Sequence, residues 1–373
     1  MIKFYYKINF SFNTMSNNFN LENGNQTSYN DKTVATVLVV FLIVLVFYLL
    51  QQLASILMPL VLAFLFASLF QPIILFLKKK NFPNWLIVPI IAIITITIIA
   101  AFALIIAQSV SQIIEQKDVF IDLLNQKIDI SIKWLNSISR KYFNFRINDK
   151  KILALFDKDF ISNTVSSLAA SLGSFLSSFF MFILYYIILL TSMSNYKSFL
   201  SWVGGSNSKL LQNYEHIQKA IVSYITIKTL LNLTTGTLAT IIFYSFDLQF
   251  PLFWGFLTFL LFYIPSIGSI IAPIPPLLMG IIQFDSFNTI LMMMLLIMFM
   301  QAIMGNIIEP ILMGQKLRLN TLTIIFGIVF WSYIWGVTGM FLCVPLLVMF
   351  KLILEQYPTL EFISRLMGTA PKQ

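Results

Sequence analysis

Two charged side chains interrupt long apolar runs of this sequence, and each has an amide side chain close by. Lys228 lies in an otherwise apolar segment and is followed by Asn232. Glu309 ends an uncharged run, with Asn306 before it and Pro310 directly after it. A charged group at membrane depth is costly, so its presence predicts a functional site. These five residues are therefore candidates for a substrate or ion path.

Each of these candidates also has a structural interpretation. Glu309 is consistent with an interfacial position, where water solvates it or Lys316 or Arg318 pairs with it. Lys228 is long enough to extend its ammonium to the cytoplasmic interface while its stem stays in apolar surroundings. Asn232 either lines a polar path or forms a hydrogen bond between helices. The sequence leaves these alternatives open.

A proline-rich stretch lies in one of the most apolar parts of the chain, where residues 263–276 have the sequence YIPSIGSIIAPIPP. Pro265 removes a backbone donor, Gly268 permits conformations closed to other residues, and Pro273 and Pro276 repeat the disruption. Irregular backbone at membrane depth occurs only where protein or a water-filled cavity surrounds it. We expect two half-helices joined by an unwound turn near a substrate. A kinked or re-entrant packing element without a ligand is the alternative.

The composition identifies an integral membrane protein. Of the 373 residues, 58% are apolar and only 10% are charged, whereas about a quarter are charged in a soluble domain. The net charge of +9 fits the accumulation of Lys and Arg in cytoplasmic loops. The expected partner is therefore the lipid bilayer and not nucleic acid.

The sequence shows no equipment for catalysis. His216 is the only histidine and Cys343 the only cysteine, so neither a metal cluster nor an intramolecular disulfide is expected. A Gly-rich segment followed by Lys-Ser or Lys-Thr, which would hold a nucleotide phosphate, does not occur. We expect a protein that is not an enzyme and that has no cofactor.

An all-α integral membrane fold with about eight transmembrane helices is predicted, because one crossing needs about 20 largely apolar residues. The predicted spans are 34–52, 56–77, 85–108, 165–192, 226–245, 248–284 as one proline-broken or re-entrant unit, 286–308 and 321–350. The predicted organisation is a disordered polar tail at 1–33, spans one to three within 34–110, an extramembrane amphipathic helical insertion at 111–164, spans four to eight within 165–352 with an interfacial helix at 206–225, and a C-terminal tail at 353–373.

The distribution of lysines predicts the orientation of the chain. Short loops rich in Lys and Arg face the cytoplasm, whereas long translocated segments escape this rule. The N-terminus and Lys78–Lys80 are therefore expected inside and the insertion outside. The side of the C-terminus depends on 248–284. If that unit is a full hairpin, Lys316 and Arg318 move inside and the C-terminus moves outside.

Several motifs together resemble the autoinducer-2 exporter family of permeases. They are YIPSIG with its trailing prolines, NIIEPILMG, GVTGMFLCVPL in the last span, and MPLVLAFLFASLFQPIILFLKKKNFPNWL near the N-terminus. The resemblance covers about residues 35–365. It implies a helical bundle in the bacterial inner membrane, a homo-oligomer, and transport of signalling molecules in some members or sodium–proton exchange in others. By motif, the implied site and structural residues are Pro265, Gly268, Pro276, Glu309, Pro310, Gly314, Gly339 and Pro345, and Gly336 also interrupts the last span.

Three functions remain open at this level. The first is a secondary transporter that exports a small polar metabolite or signal. The second is a cation–proton antiporter, in which Glu309 alternates between a proton and a cation. The third is a membrane scaffold that transports nothing, with the insertion as its partner surface.

Overall fold

The computed structural model describes residues 27–115, 178–192, 209–313 and 319–368, together with Trp202 and isolated positions between 119 and 136. Within these ranges every regular element is a helix, and the one β contact is an isolated bridge between Leu319 and Gly368. The all-α fold predicted from the sequence is confirmed. The chain divides into two compact units, residues 1–54 and 55–373.

The first unit contains one described helix, α1 (Thr27–Gln52). Its apolar stretch, Thr33–Gln52, buries none of its residues within the protein. A helix that is apolar on every face and about 20 residues long is typical of a membrane span. The helix begins inside the predicted polar tail, the rest of which lies outside the described residues.

Three helices of the second unit form a bundle: α2 (Ala54–Lys79), α3 (Asn84–Glu115) and α4 (Ser178–Ser192). Small residues on α2, with Ala63 and Ala67 fully buried, let the neighbouring helices approach closely. The buried hydroxyls of Thr95 and Tyr186 share a hydrogen bond of 2.7 Å, which satisfies two polar groups inside the bundle.

Most of the predicted insertion at 111–164 lies outside the described residues. One described position, Lys127, donates to the Asp285 carboxylate at 2.5 Å and to the Phe284 carbonyl at 3.0 Å. The ammonium holds the pKa of the exposed Asp285 carboxyl below its ordinary value. The contact is therefore present at neutral pH and is lost as the pH falls through that lowered pKa. It places Lys127 and the loop at 284–286 on the same face of the membrane.

The longest unbroken helix in the described part of the chain is α5 (Lys209–Ser245), with 37 residues. It unites the interfacial helix predicted at 206–225 with the fifth predicted span at 226–245. At 1.5 Å per residue its length is about 55 Å, which exceeds the roughly 30 Å hydrocarbon core. One end of α5 therefore extends beyond the apolar layer.

The proline-rich stretch forms a re-entrant hairpin of three short helices, α6 (Pro251–Leu261), α7 (Ile267–Ile271) and α8 (Ile274–Gln283). Its two ends meet, because the Gln283 side chain accepts from the Gln249 backbone N–H at 2.8 Å and donates to the Asp247 carbonyl at 2.6 Å. Both ends of the hairpin thus lie on one face of the membrane. The predicted interruption of the helix is confirmed, and we call residues 262–273 the hairpin tip.

The next crossing is α9 (Phe287–Ile303), which continues as a π-helical turn (Met304–Ile308) and a short helix, α10 (Glu309–Met313). Ser286 caps α9 by accepting from the Thr289 backbone N–H. Because α9 starts at the face where the hairpin ends, Glu309 lies toward the opposite face.

A second hairpin follows in α11 (Thr321–Leu354), where Trp335 and Gly336 have non-helical backbone angles. The two arms lie antiparallel, since a Cβ on Gly339 would be 1.9 Å from the Trp331 carbonyl oxygen and a Cβ on Gly327 would be 2.5 Å from Leu347 Cδ1. In a continuous helix residues 327 and 347 would be about 30 Å apart. The sequence predicted an interruption at Gly336, and the structure shows that the chain also reverses there. Pro345 is buried in the returning arm.

The end of the chain returns to the start of this second hairpin. In α12 (Glu361–Met367), the Met367 and Leu366 carbonyls accept from the backbone and side chain of Asn320, at 2.9 and 2.6 Å. Gln356 also accepts from the Asn213 side chain of α5 at 2.9 Å. The C-terminal segment therefore lies on the same membrane face as Lys209. If 248–284 were the only hairpin, this segment would lie on the opposite face.

Six helices of the described residues are long and apolar enough to span a membrane, and 178–192, 251–261 and 267–283 are shorter apolar helices. Because α11 folds back on itself, its length does not correspond to a crossing. Both hairpins thus enter the apolar layer and return, and they do so from opposite faces.

We predict that cysteines at Ser286 and Gln356 lie on opposite faces of the membrane. In a Cys343→Ala background, an impermeant maleimide should label position 286 in spheroplasts and position 356 only in inverted vesicles. Lys79→Cys, which the lysine distribution predicts on the cytoplasmic face, should behave as position 356 does. Labelling of positions 286 and 356 from the same side would contradict the two hairpins.

Candidate functional site

A cavity of about 600 Å³ lies where the hairpin tip meets α5 and α9. We call it the central cavity. Polar atoms enter it from all three elements, and the remaining wall is apolar, with Met294 and Met298 from α9. Of the predicted site residues, the cavity is lined by Lys228, Pro265, Pro273, Asn306 and Glu309.

An ion pair between Lys228 and Glu309 joins two walls of the central cavity. The Lys228 ammonium donates to Glu309 Oε1; the lysine side chain is 1% exposed and the glutamate side chain 27% exposed. A charge removed from water is tolerated only when it is paired and hydrogen-bonded. Glu309 supplies that charge and keeps one side open to the cavity.

One interpretation from the sequence is corrected by this pair. The extension of Lys228 to the cytoplasmic interface is wrong, because its ammonium ends inside the protein against a carboxylate. Among the described residues, the partner of Glu309 is this lysine from a distant helix. Lys316 and Arg318, the neighbours considered from the sequence, lie outside the described residues.

The π-helical turn explains why Glu309 faces Lys228. Pro310 has no N–H to donate to the Asn306 carbonyl and its ring conflicts with that carbonyl, which opens the preceding turn. The Glu309 N–H accordingly bonds to the Met304 carbonyl, five residues back. Glu309 follows Gln301 by eight residues. Because the π-helical turn takes up one extra residue, the rotation between them equals that of seven residues in an α-helix, which is close to two full turns. The two side chains therefore lie on one face.

The hairpin tip is attached to α5 beside Lys228. The Tyr263 hydroxyl forms a hydrogen bond of 2.7 Å with Thr229 Oγ1. In the amide orientation that satisfies both of its groups, the Asn232 side chain accepts from the Tyr263 N–H at 3.1 Å and donates to the Lys228 carbonyl at 3.2 Å. Asn232 is fully buried, so it forms the hydrogen bond between elements that the sequence had left as an alternative.

Gly268 is required by the geometry of the hairpin tip. A Cβ at this position would lie 1.9 Å from the Leu261 carbonyl oxygen, a distance that no backbone tolerates. Ser266 adopts a φ of 60°, which is uncommon for a residue other than glycine and stores strain at the turn. Gly268 in the tip and Pro276 in α8 are buried, and neither lines the central cavity. Gly314 lies outside the described residues.

Gln301 is a cavity residue that sequence reasoning missed. It is 4% exposed, lines the central cavity, and its Nε2 has no hydrogen-bond partner among the described residues. The available signal was a lone amide in the methionine-rich run MFMQAIMG. Within the same described ranges, no group of three or more His, Cys, Asp or Glu side chains is placed to hold a metal ion.

Membrane-spanning helices, two re-entrant hairpins and a polar cavity at an unwound turn define a membrane transport protein. A family model described as "AI-2E family transporter" matches residues 36–359. The chain belongs to this family, and it is a multi-pass transporter of the bacterial inner membrane.

Individual relatives agree with this assignment. The chain is 27% identical over 323 residues to "AI-2 transport protein TqsA" of Escherichia coli, covering 86% of this chain and 91% of TqsA. It is 23% identical over 302 residues to YhhT of Escherichia coli, covering 81% of this chain and 85% of YhhT. A relative from Haemophilus influenzae is 27% identical over 320 residues, covering 84% of this chain and 90% of the relative.

The ion pair should contribute cooperatively to stability. We expect Lys228→Met and Glu309→Gln each to lower the free energy of unfolding by about 3 kcal/mol, because each leaves a polar group without its partner. The double variant should lose less than the sum of the two. Unfolding by SDS titration in mixed micelles measures all three.

The matched control is the exposed pair Arg365–Glu361, whose side chains are 76% and 46% exposed. Removing it should cost about 0.5 kcal/mol or less, because water screens exposed pairs. If the losses of unfolding free energy at Lys228 and Glu309 were additive and as small as those of the control pair, the buried contact would have no energetic role.

Proposed function

We propose that this protein exports autoinducer-2 or a chemically similar small polar signal through the central cavity. The observation that supports this most directly is the Lys228–Glu309 pair, which faces a cavity at an unwound turn. The relative TqsA suggests the substrate class, since its name describes AI-2 transport. Residues Pro265, Gly268, Pro273, Pro276, Asn306 and Pro310 are proposed to shape the solute site, together with Asn232.

The geometry suits an uncharged polar solute. The positive charge of Lys228 is compensated by Glu309, so the cavity presents polar groups of both signs with no net charge from this pair. The unwound tip adds the side chains of Ser266 and Ser269 to the wall. A solute with several oxygen atoms would replace its hydrogen bonds to water with hydrogen bonds to these groups, while Met294 would contact its carbon skeleton.

Opening of the cavity is proposed to involve the hairpin tip. Its attachment to α5 consists of the Tyr263–Thr229 bond and the Asn232 contacts. The ends of the hairpin are held separately by Gln283. Displacement of the tip would break these neutral hydrogen bonds and the apolar contacts of Phe262 and Ile264, and it would uncover the cavity while the hairpin ends stay in place. We propose that the protein works in this way as a secondary transporter without catalytic activity, and as a homo-oligomer.

Cation–proton exchange has one supporting observation, the partly exposed carboxylate of Glu309. Against it, this carboxylate already has an ammonium partner, and a cation would have to displace Lys228 from it. We therefore propose solute export. The experiment below also tests for exchange of sodium for protons. The scaffold interpretation depends on the insertion at 111–164, which lies mostly outside the described residues.

Efflux from proteoliposomes tests the proposal. Vesicles loaded with autoinducer-2 should release it faster when they contain the protein than when they are empty. Glu309→Gln should slow release by roughly tenfold, since an uncompensated buried ammonium raises the free energy of the cavity by about 1.4 kcal/mol or more. Arg365→Met, far from the cavity, should match the wild type.

Two results would contradict the proposal. Release equal to that of empty vesicles would remove autoinducer-2 as a solute. Sodium-driven pH changes that are abolished in Glu309→Gln, in the absence of autoinducer-2 release, would establish cation exchange in its place.

A further inference from the structure

A positively charged turn connects α2 and α3 at the edge of the apolar layer. The apolar run of α2 ends at Leu77, and the apolar run of α3 begins at Trp85. Lys78–Lys80 follow the first run directly, so these lysines lie where the hydrocarbon ends and the lipid headgroups begin. We call residues 76–85 the basic turn.

The backbone of the basic turn is closed by its own hydrogen bonds. Asn81 adopts a left-handed φ of 60°. Its N–H donates to the Lys78 carbonyl at 3.0 Å, and the Phe82 N–H donates to the Leu77 carbonyl at 3.2 Å. This pair of bonds is a Schellman motif, which satisfies carbonyls at the end of a helix. The lysine side chains are therefore not needed to satisfy these two carbonyls of α2.

The lysines of the basic turn have no acidic residue near them in the sequence. The chain contains no Asp or Glu between Asp31 and Glu115. Glu115 is the last residue of α3, so it lies about 45 Å along that helix from the turn. The basic turn and the two helices that it joins thus carry a local excess of positive charge, which a negatively charged partner would complement.

Exposed aromatic side chains flank the lysines. The Trp85 side chain is 74% exposed, and Phe76 and Phe82 are exposed as well. The Lys80 ammonium lies 4.9 Å from the centroid of the Phe76 ring, which is within the range of a cation–π contact. Tryptophan is enriched at the depth of the lipid headgroups, where an apolar ring and a polar N–H both find suitable surroundings. The aromatic residues thus favour a position of the turn at headgroup depth.

We propose that the basic turn binds the headgroup of an anionic phospholipid. The phosphodiester accepts hydrogen bonds from the ammonium groups of Lys79 and Lys80, and the acyl chains contact exposed apolar side chains of α2 such as Leu75. Basic residues next to a membrane span attract anionic lipids in this way. A lipid matches both the charge and the apolar surface of this region, whereas a soluble anion matches the charge alone. This lipid site goes beyond the proposed function, since it takes no part in holding the solute.

Native mass spectrometry of the full chain in detergent tests the proposal. The probes are dioleoyl phosphatidylglycerol and dioleoyl phosphatidylcholine, which share their acyl chains and differ in the charge of the headgroup. The variants are Lys80→Gln, Lys80→Arg and Phe76→Leu. Lys219→Gln, at an exposed lysine of α5, is the control with the same loss of charge.

We expect the wild type to bind phosphatidylglycerol more tightly than phosphatidylcholine. Lys80→Gln should weaken the binding of phosphatidylglycerol about fivefold, the effect of one basic residue near an anionic lipid, and should leave phosphatidylcholine unchanged. Lys80→Arg should keep the preference because it keeps the charge. Phe76→Leu should weaken phosphatidylglycerol about twofold, the effect of an exposed cation–π contact. The Lys219→Gln control should equal the wild type. If Lys80→Gln does not fold, Lys79→Gln takes its place with the same expectation.

Three results would each overturn the proposal. The first is equal binding of the two lipids by the wild type. The second is the same affinity for phosphatidylglycerol in Lys80→Gln and in Lys219→Gln, because the position of the charge would then be irrelevant. The third is displacement of phosphatidylglycerol by an equal concentration of glycerol 3-phosphate, since the turn would then be a site for soluble phosphates.

Discussion

A lysine buried within the membrane-embedded part of a protein must meet a compensating charge, and the arrangement of the central cavity depends on that requirement. Lys228 comes from α5 and Glu309 from α10, so their ion pair holds two distant segments together. The turn opened by Pro310 directs the carboxylate toward the lysine. Because Glu309 is also partly exposed, the same contact that stabilises the helices leaves a polar group facing the cavity.

The second constraint is that irregular backbone within the membrane must be covered by protein or water. Both chain reversals meet it by close packing at a glycine. At Gly268 and Gly339 an added Cβ would lie 1.9 Å from a backbone carbonyl oxygen. The tip of the first hairpin packs against the second, with Ile264 in the same buried cluster as Ile328 and Cys343. The unwound turn is thereby held beside Lys228.

Much of this organisation could be predicted from the sequence, because its causes are local. The apolar runs predicted the helices, and Pro265 and Gly268 predicted the break. Reversal at Gly336 could not be predicted, since an interruption does not show whether the chain continues or folds back. The partner of Glu309 could not be predicted either. Lys228 lies 81 residues away in the chain, and only tertiary packing brings the two side chains together.

Accessibility of the cavity wall tests the central claim, that the cavity beside the ion pair holds water and then the solute. Gly305 lines the cavity, and a Cβ there meets no atom within 4 Å, so Gly305→Cys fits without strain. In a Cys343→Ala background, a water-soluble methanethiosulfonate should modify position 305, and autoinducer-2 should slow the reaction. Leu295→Cys, exposed on α9 and outside the cavity lining, should stay unreactive. A position 305 that is as unreactive as 295, or whose reaction autoinducer-2 does not slow, would contradict the account.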